Sequence, residues 1–552
     1  MKKSASFFFL SFSVSLLFSC TEAKKNIKEE VIVASPEQID PKAEEVIEQT
    51  LSDVLKDKQF ADSLRLKNTA AVQNLYDDRA YKPLWSVEGS HTAHSDSLFS
   101  LIENARYFGL FPDDYYHQRI KELRQNLSLD TLQKLDAAKW ALNDLLLTSA
   151  FIQIVKDIKV GRILPDSVVQ KDTTFTHPFL QQQLLQFEKA IPVDSFIAAL
   201  EPKHKEYAEL RYAVKRFVDS ADFRNYTYVH AYDSSTLKQL VYKRINEEDS
   251  IDLGDKVLDS IALAEAIKKY QRLKRLKVDG KLSTELVKKL NDTDDEKFIR
   301  IAITLDRFKT MATLPQQYIW VNIPSYLLRV KRDDSVVITS KVAVGKTNTR
   351  TPEIVSAVTD MITYPQWTIP ASIIEKEILP GLKRDAGYTN RKGYSLIDKN
   401  GNEVDPYFVD WAKYKKGIPY KVVQGSGDAN ALGVIKFNFP NKHSVYLHDT
   451  NQRYLFSRKN RALSHGCVRV ESWKDLAYFI LESDSLTGKT FLPKDSLNTW
   501  LALKQKKVIP VRNKVPVFLK YFTCEGVNGK VVFYEDIYEE DRRLRNKYFA
   551  TK

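Results

Sequence analysis

The chain has 552 residues, of which 43% are hydrophobic and 11% aromatic, and its formal net charge is +13. A chain this long exceeds what one hydrophobic core usually holds, and its apolar content excludes a wholly disordered or fibrous protein. The three cysteines, Cys20, Cys467 and Cys524, are too few for a disulfide framework or a multi-cysteine metal cluster. The positive charge suits an acidic partner, but it does not choose between nucleic acid, an anionic membrane and an acidic wall polymer.

The first residues indicate export. Two lysines precede an uncharged stretch over 4–19, which is short for a transmembrane helix but typical of a signal peptide over 1–19. The stretch ends in Leu17-Phe18-Ser19-Cys20, which resembles a bacterial lipoprotein signal that is cut before the cysteine. We therefore expect a periplasm-facing protein anchored to a membrane through a lipid on Cys20. An ordinary secretory signal that happens to end in cysteine is the alternative, and either reading disfavours nucleic acid as a partner.

A helical part follows the signal. Residues 20–43 are polar and contain Pro36 and Pro41, which predicts a flexible tether. From 44 to 220 apolar residues recur at three- and four-residue steps, most clearly over 138–155, which predicts a helical scaffold domain. No group of candidate catalytic residues occurs in this scaffold.

A second helical stretch, 255–293, has a different pattern. An apolar helical stripe with a Tyr-Gln pair is followed by Val278-Asp279-Gly280 and by a helix that Ser283 can cap. This order resembles a small peptidoglycan-binding helical module. A plain helical hairpin with a glycine turn is the alternative, and such modules can also persist as structural spacers.

The pattern changes to strands from residue 316 to 495, with an extension over 496–552. This predicts an α+β multidomain protein, in which a helical N-terminal scaffold and a small helical module precede a β-rich domain. The clearest predicted strands are 318–322, 326–330, 335–344 and 444–447.

The β-rich part contains a cysteine beside two histidines, Cys467 with His448 and His465. Only a thiolate attacks carbonyl carbons well, and a neighbouring imidazole can take its proton and return it to a leaving amine. Gly466 leaves room for a substrate backbone, and we expect the amides of Gly466 and Cys467 to face a developing oxyanion. The pattern predicts nucleophilic thiol chemistry.

The sequences around these residues resemble those of a known enzyme family. Val445-Tyr446-Leu447-His448-Asp449-Thr450 and Ser464-His465-Gly466-Cys467-Val468-Arg469-Val470, with sixteen residues between His448 and His465, resemble the L,D-transpeptidases of the YkuD type. Further matching blocks are 349–352, 365–370 and 430–437. The helical N-terminal part places the resemblance closest to the large multidomain YcbB-like members.

The resemblance implies roles for individual residues. Cys467 is expected to be the nucleophile and His448 the general base, oriented by a backbone carbonyl near Asp449. His465 and Gly466 complete the catalytic group, and Tyr446 with the Cys467 amide is expected to supply oxyanion contacts. The residues expected to meet substrate are Trp367, Tyr446, Ser464 and Arg469, the last through a bidentate pair to a carboxylate or by holding the site together.

Other interpretations of the same residues stay open. Cys467 could be an inert packed thiol, it could join His448 and His465 in a zinc site, or it could pair with Cys524 in a disulfide. The long polar and aromatic insert over 375–421 predicts a lid over the cleft, with a surface excursion packed by its own aromatics as the alternative.

The function implied by the resemblance is the cross-linking of peptidoglycan stem peptides through a cysteine thioester. No metal and no organic cofactor is implied. With water as the acceptor the protein would be an L,D-carboxypeptidase, and with an amine of another protein it would be an anchoring enzyme. A non-catalytic peptidoglycan-binding lipoprotein tether is the alternative from a different class.

Overall fold

The computed structural model of the chain describes residues 30–57, 65–163, 175–189, 192–230, 236–248, 259–485 and 492–549. The predicted signal peptide, Cys20 and the first part of the predicted tether lie outside these residues. The chain forms two compact units: the first comprises Met1–Ala105, Phe111–Asp157 and Gln170–Leu200, and the second comprises Arg106–Leu110, Ile158–Val169 and Glu201–Lys552.

The first unit is mainly helical. Its elements are α1 (Ile39–Asp57), α2 (Thr69–Asp77), β1 (Ser86–Val87), β2 (Ser90–His91), α3 (Ala93–Glu103), α4 (His117–Leu129), α5 (Thr131–Lys134), α6 (Ala137–Lys159, whose last two residues belong to the second unit), α7 (His177–Glu188) and α8 (Val193–Leu200).

Helix α6 holds a turn of this unit in place through polar side chains on its buried face. The fully buried Asp144 accepts hydrogen bonds of 2.8 Å from the backbone N–H groups of Leu84 and Trp85. Thr148, one turn later, accepts a 2.8 Å bond from the Trp85 indole. Burial raises the pKa of Asp144 to about 6. The polar groups of α6 therefore fix a turn in the core of the scaffold.

The structure differs from the predicted tether over 20–43. Helix α1 begins at Ile39, which is fully buried, and Val33 packs in the same apolar cluster as Trp140. The backbone N–H of Val31 also donates a 2.9 Å hydrogen bond to Asp136. A few apolar residues within a polar stretch are enough to fold its second half onto the scaffold.

The second unit contains the remaining helices. They are α9 (Lys205–Ser220), α10 (Leu237–Glu248), α11 (Ser260–Leu273), α12 (Thr284–Leu290), α13 (Asp294–Lys309), α14 (Ala371–Ile373), α15 (Leu379–Arg384), α16 (Tyr388–Lys392), α17 (Trp473–Ser485), α18 (Lys494–Ala502) and α19 (Glu540–Phe549), with a π-helix at Ile374–Ile378.

Helices α11 and α12 form the predicted module, and local hydrogen bonds explain its sequence pattern. The buried Gln271 accepts 2.9 Å bonds from the N–H groups of Asp279 and Gly280. Gly280 has a φ of +67°, a conformation that favours glycine. Ser283 caps α12 by accepting a 3.1 Å bond from Leu286 N–H. These contacts account for the turn, while glycan or peptide binding by this module stays a prediction.

The strands of the second unit form two larger sheets and a hairpin. They are β3 (Gln317–Asn322), β4 (Leu327–Arg332), β5 (Ser335–Gly345), β6 (Ile354–Thr363), β7 (Trp367–Thr368), β8 (Tyr394–Ile397), β9 (Glu403–Val404), β10 (Lys421–Gln424), β11 (Ile435–Asn438), β12 (Leu447–His448), β13 (Ala462–Ser464), β14 (Val468–Val470), β15 (Lys507–Lys520), β16 (Cys524–Val527) and β17 (Lys530–Phe533).

The main sheet has nine strands in the order β13-β5-β14-β12-β11-β6-β15-β3-β4, and β4 also pairs with β5, so that the sheet closes on itself. Strand β15 lies between β6 and β3 although it belongs to the predicted extension over 496–552. The extension is therefore part of the sheet, because its alternating apolar residues enter the same core. The predicted strand over 444–447 is shorter and begins at Leu447, since Ser444 has a φ of +55°.

The predicted insert over 375–421 has its own small sheet and core. Its sheet has the order β7-β10-β8-β9, so it starts earlier than predicted, at Trp367, and ends later, at Gln424. Leu396, Trp411 and Val422 are buried in its apolar cluster. The insert is thus a small folded subdomain within the second unit.

Candidate active site

The candidate catalytic residues come together on two parallel neighbouring strands. Strand β12 pairs with β14 so that Leu447 lies opposite Val468 and His448 opposite Arg469. Side chains alternate along a strand, and Leu447 and Val468 are fully buried in the core. The side chains on the opposite face are those of Tyr446, His448, Cys467 and Arg469.

Cys467 lies at the start of β14 and is partly exposed. Its sulfur lies 3.8 Å from the carbonyl oxygen of Ser444. Burial raises the pKa of the Cys467 thiol, against the opposing effects of the Tyr446 backbone N–H and hydroxyl and of the charges on Lys436 and Arg469. The resting group is therefore a thiol, and its reaction requires a base.

His448 is buried and held in one orientation. Its Nδ1 donates to the carbonyl oxygen of Asp449, and the ring also has a backbone hydrogen bond with Leu432. Burial, with the positive charges of Arg469 and Lys436, lowers the pKa of His448 to about 3. The His448 ring lies 5.6 Å from that of Tyr446, whose hydroxyl also contacts the Cys467 sulfur. The His448 imidazole and the Cys467 thiol thus share one tyrosine neighbour.

Asp449 anchors the strand end that carries His448. Its carboxylate accepts a 3.0 Å bond from Val434 N–H and a 2.8 Å bond from Arg453. Gly433 has a φ of +63°, and a Cβ added there would lie 2.3 Å from the Asp449 carboxylate. The position of Asp449 therefore requires a glycine at residue 433, in the matching block 430–437.

The turn before the nucleophile is held by Ser464. The Ser464 hydroxyl donates a 2.6 Å bond to the carbonyl oxygen of Cys467 and accepts a 3.1 Å bond from Gly466 N–H. The expectation that the Gly466 amide faces an oxyanion is wrong in this structure, because that amide is already bonded. Among the described residues the Cys467 amide has no hydrogen-bond partner, so it is the available backbone donor.

Thr351 and Tyr538 support the same turn, and the sequence analysis assigned a role to neither. The Thr351 hydroxyl donates a 2.8 Å bond to the carbonyl oxygen of Gly466. Thr351 N–H donates in turn to the Tyr538 hydroxyl at 3.1 Å. Thr351 lies in the matching block 349–352, which was a usable signal, whereas Tyr538 lies far along the chain.

The His465 side chain contacts the insert. Its Nε2 donates to a carboxylate oxygen of Glu377, in the π-helix, at 2.5 Å. The two side chains are 31% and 46% exposed, so water screens the pair. His465 therefore connects the nucleophile turn to the insert.

Trp367 and Arg469 border the cysteine. The Trp367 indole interacts with the Tyr446 hydroxyl, and burial raises the pKa of Tyr446, so that this hydroxyl stays protonated and can donate. Arg469 donates a 3.1 Å bond to Gln452, and its Nε is buried without a partner among the described residues.

The disulfide and the zinc site find no support in the geometry of the described residues. Cys467 and Cys524 are both free thiols, and Cys524 is buried with its sulfur 3.8 Å from the Arg300 carbonyl oxygen. Within the described ranges, no group of three His, Cys, Asp or Glu side chains is placed to hold a metal ion. None of the helices in those ranges combines the length and the apolar content needed to cross a bilayer.

Comparisons with known proteins agree with this geometry. Residues 316–490 match the model of the YkuD L,D-transpeptidase catalytic domain, and residues 70–213 match that of a scaffold domain. A curated Haemophilus influenzae protein that carries an L,D-transpeptidase name is 42% identical over 226 residues, which are 41% of this chain. The match spans 45% of that relative's length.

Two solved structures are also similar to parts of the chain. The catalytic domain of an E. faecium L,D-transpeptidase acylated by ertapenem is 12% identical, over 38% of this chain and 100% of that one, with a TM-score of 0.18. An L,D-transpeptidase from Stackebrandtia nassauensis is 13% identical, over 54% of this chain and 97% of that one, with a TM-score of 0.15.

The family match covers the strands and turns that carry the candidate residues, whereas the YcbB-like subtype stays a prediction. The site on β12 and β14 lies within the matched residues 316–490. Residues 316–490, which carry the candidate site, therefore match the L,D-transpeptidase catalytic domain of the YkuD family.

Proposed function

We propose that the chain is an L,D-transpeptidase that cross-links peptidoglycan stem peptides through a thioester on Cys467. The observation that carries the proposal is the shared strand face of Cys467, Tyr446 and His448 within the YkuD catalytic domain. These three residues supply the nucleophile, the hydroxyl donor and the basic nitrogen that the reaction needs.

The first step transfers an acyl group to the cysteine. The Cys467 proton passes to His448 Nε2 while the sulfur attacks a carbonyl carbon of a donor stem. This is the carbonyl of the third, L-configured residue, in the amide bond that joins it to the terminal D-alanine. The Cys467 amide and the Tyr446 hydroxyl donate to the oxyanion that forms. The C–N bond then breaks, and His448 returns the proton to the departing amine of the terminal D-alanine.

The second step returns the protein to its resting state. The side-chain amine of the diamino acid in a second stem attacks the thioester carbonyl and gives a proton to His448. The carbon–sulfur bond breaks, an amide joins the two stems, and the thiolate recovers its proton. No metal or organic cofactor is required, because each proton and electron pair has a donor and an acceptor in the site.

The lowered pKa of His448 and the raised pKa of Cys467 both disfavour a resting thiolate–imidazolium pair. Desolvation opposes the charged form of each group, and two cations oppose a charged His448. Separate charges on Cys467 and His448 therefore exist only while a bound substrate donates and accepts hydrogen bonds around them.

The remaining assignments belong to the same proposal. Cys20 is the lipid attachment site that anchors the exported protein, and the module of α11 and α12 binds wall polymer. The insert covers the cleft as a lid, a role that is supported by the contact between Glu377 and His465. The anchor is tested by labelling the protein with a fatty acid and following the label and the shift of the protein on a gel. C20A is the control.

The function is tested by incubating purified protein with a disaccharide-tetrapeptide and separating the products by mass. A dimer that has lost one D-alanine supports transpeptidation, and tripeptide alone would make the protein an L,D-carboxypeptidase. If the wild-type protein and a C467A variant both bind wall material and neither yields a product, the protein is a tether and the proposal fails.

A further inference from the structure

Lys436 lies beside the cysteine, although the sequence motifs give it no role. It sits on β11, where Ile435 and Phe437 are fully buried in the core and Lys436 projects from the other face. The register pairs Lys436 with His448 on the neighbouring strand. Lys436 therefore shares the strand face of the catalytic residues.

The ammonium group is held over an aromatic ring. Lys436 Nζ lies 4.0 Å from the centre of the Tyr446 ring, a cation–π distance, and the Tyr446 hydroxyl contacts the Cys467 sulfur. Because the ring occupies one side of the ammonium, the side chain is kept at the site rather than extended into water.

The charge on Lys436 has no carboxylate partner. Among the described residues it forms neither an ion pair nor a hydrogen bond, and the nearby Asp360 is engaged by Asn438 at 2.6 Å and by the Thr359 hydroxyl at 3.0 Å. A partly desolvated cation that forms no ion pair is costly, so such a residue is unexpected unless an anion forms next to it.

The groups that face Lys436 come from each neighbouring strand. They are Asp360 on β6, Tyr446 and His448 on or next to β12, and Cys467 and Arg469 on or next to β14. Of these, Cys467 changes from neutral to negative during the reaction. His448 becomes positive in the same step, but an ammonium disfavours that charge, so the favourable interaction is with sulfur.

We propose that Lys436 is a positioning residue that, held by the Tyr446 ring, places a positive charge beside Cys467 and stabilises its thiolate. The inference rests on the proposed function of Cys467 as the nucleophile. The attraction is reciprocal: the charge on Lys436 lowers the pKa of Cys467, and Cys467 raises the pKa of Lys436 against the larger, lowering effect of burial.

The test is the pH dependence of Cys467 alkylation by iodoacetamide in the full chain, with the adduct located by peptide mass. K436M retains the side-chain volume and removes the charge, K436R retains the charge, and K442M removes an exposed lysine of the same domain as a control. Removal of an unpaired, partly buried charge is not expected to unfold the protein, and K436Q is a second neutral variant.

We expect K436M and K436Q to raise the thiol pKa by about one to two units, which slows alkylation at neutral pH by about tenfold or more. K436R and K442M should behave like the wild type. An unchanged thiol pKa in folded K436M, even with a higher KM for the donor stem, would overturn the inference and assign Lys436 to substrate binding. Alkylation does not require transpeptidation, so failure of the proposed function gives a separate result.

Discussion

The Tyr538 hydroxyl donates a 2.6 Å hydrogen bond to the carbonyl oxygen of Gly345, across 193 residues of sequence. The same hydroxyl accepts the bond from Thr351 N–H, and the Thr351 side chain bonds the carbonyl of Gly466. The last part of the chain therefore positions the turn that precedes Cys467.

Removal of the Tyr538 hydroxyl tests its connection to the turn before Cys467. Y538F should destabilise the protein by about 1–2 kcal/mol, because it leaves a buried carbonyl and a buried N–H with one partner fewer. It should also slow acylation of Cys467, since Thr351 loses its support. Thermal unfolding and the acylation rate measure the two effects. Y212F, at a 70% exposed tyrosine, is the matched control and should change neither.

Gly433 is predicted to be intolerant of a side chain. G433A should lower stability by about 2 kcal/mol or more and reduce turnover, because its Cβ would displace Asp449 and with it the carbonyl that orients His448. Gly417 has a similar φ of +65° with open space around it, so G417A carries the conformational cost alone. Equal losses of activity in the two variants would contradict the role given to Asp449.

A covalent intermediate predicts a stable adduct. A carbapenem-type β-lactam should acylate the protein once, and intact-mass spectrometry should place the adduct on Cys467. C467A should form none, whereas C524A should react like the wild type because Cys524 is buried. A wild-type protein that stays unmodified would count against the thioester mechanism.

The pH profile follows from the shifted pKa values. His448 has its pKa lowered to about 3, so the imidazole stays neutral as the pH falls through its ordinary value of 6.5. Burial also raises the pKa of Cys467 above the usual 9.0, which keeps the reactive thiol–imidazole form dominant between these limits. Carbapenem acylation should therefore be nearly constant from pH 5 to about 8. An inflection near pH 6.5 would show that His448 titrates normally.

The contact between His465 and Glu377 predicts an effect on activity without one on stability. E377A should lower kcat/KM by about three- to tenfold, because the insert is no longer held at the nucleophile turn. The melting temperature should stay nearly constant, since exposed ion pairs contribute little to stability. E375A removes an exposed carboxylate of the same π-helix as the control, and equal activity of both variants would argue against a lid.

The helical N-terminal part and the β-rich YkuD domain were predicted from the sequence, and the fold class is confirmed. Local patterns were sufficient where the interactions are local. The turn of the module needs only Gln271, Asp279 and Gly280, and Ser283 caps the helix that follows it. Such contacts join residues a few positions apart, so the spacing of residue types reveals them.

Contacts between distant residues were not predicted. The second half of the tether folds onto the scaffold because Ile39 reaches the same apolar cluster as Trp140. Strand β15 is central to the sheet although it follows the predicted catalytic domain. The Gly466 amide is taken by Ser464, a bond that depends on the conformation of the turn rather than on residue type.

The sequence by itself determined which family the β-rich domain resembles, because a cysteine, two histidines and their flanking residues form a pattern along a short stretch. Only the tertiary structure decided which groups surround the sulfur. Strand register brings Lys436 and Arg469 onto its face, and Tyr538 reaches its turn from the last part of the chain. The physical reason is that reactivity depends on charge and burial in space, which are set by packing between residues far apart in sequence.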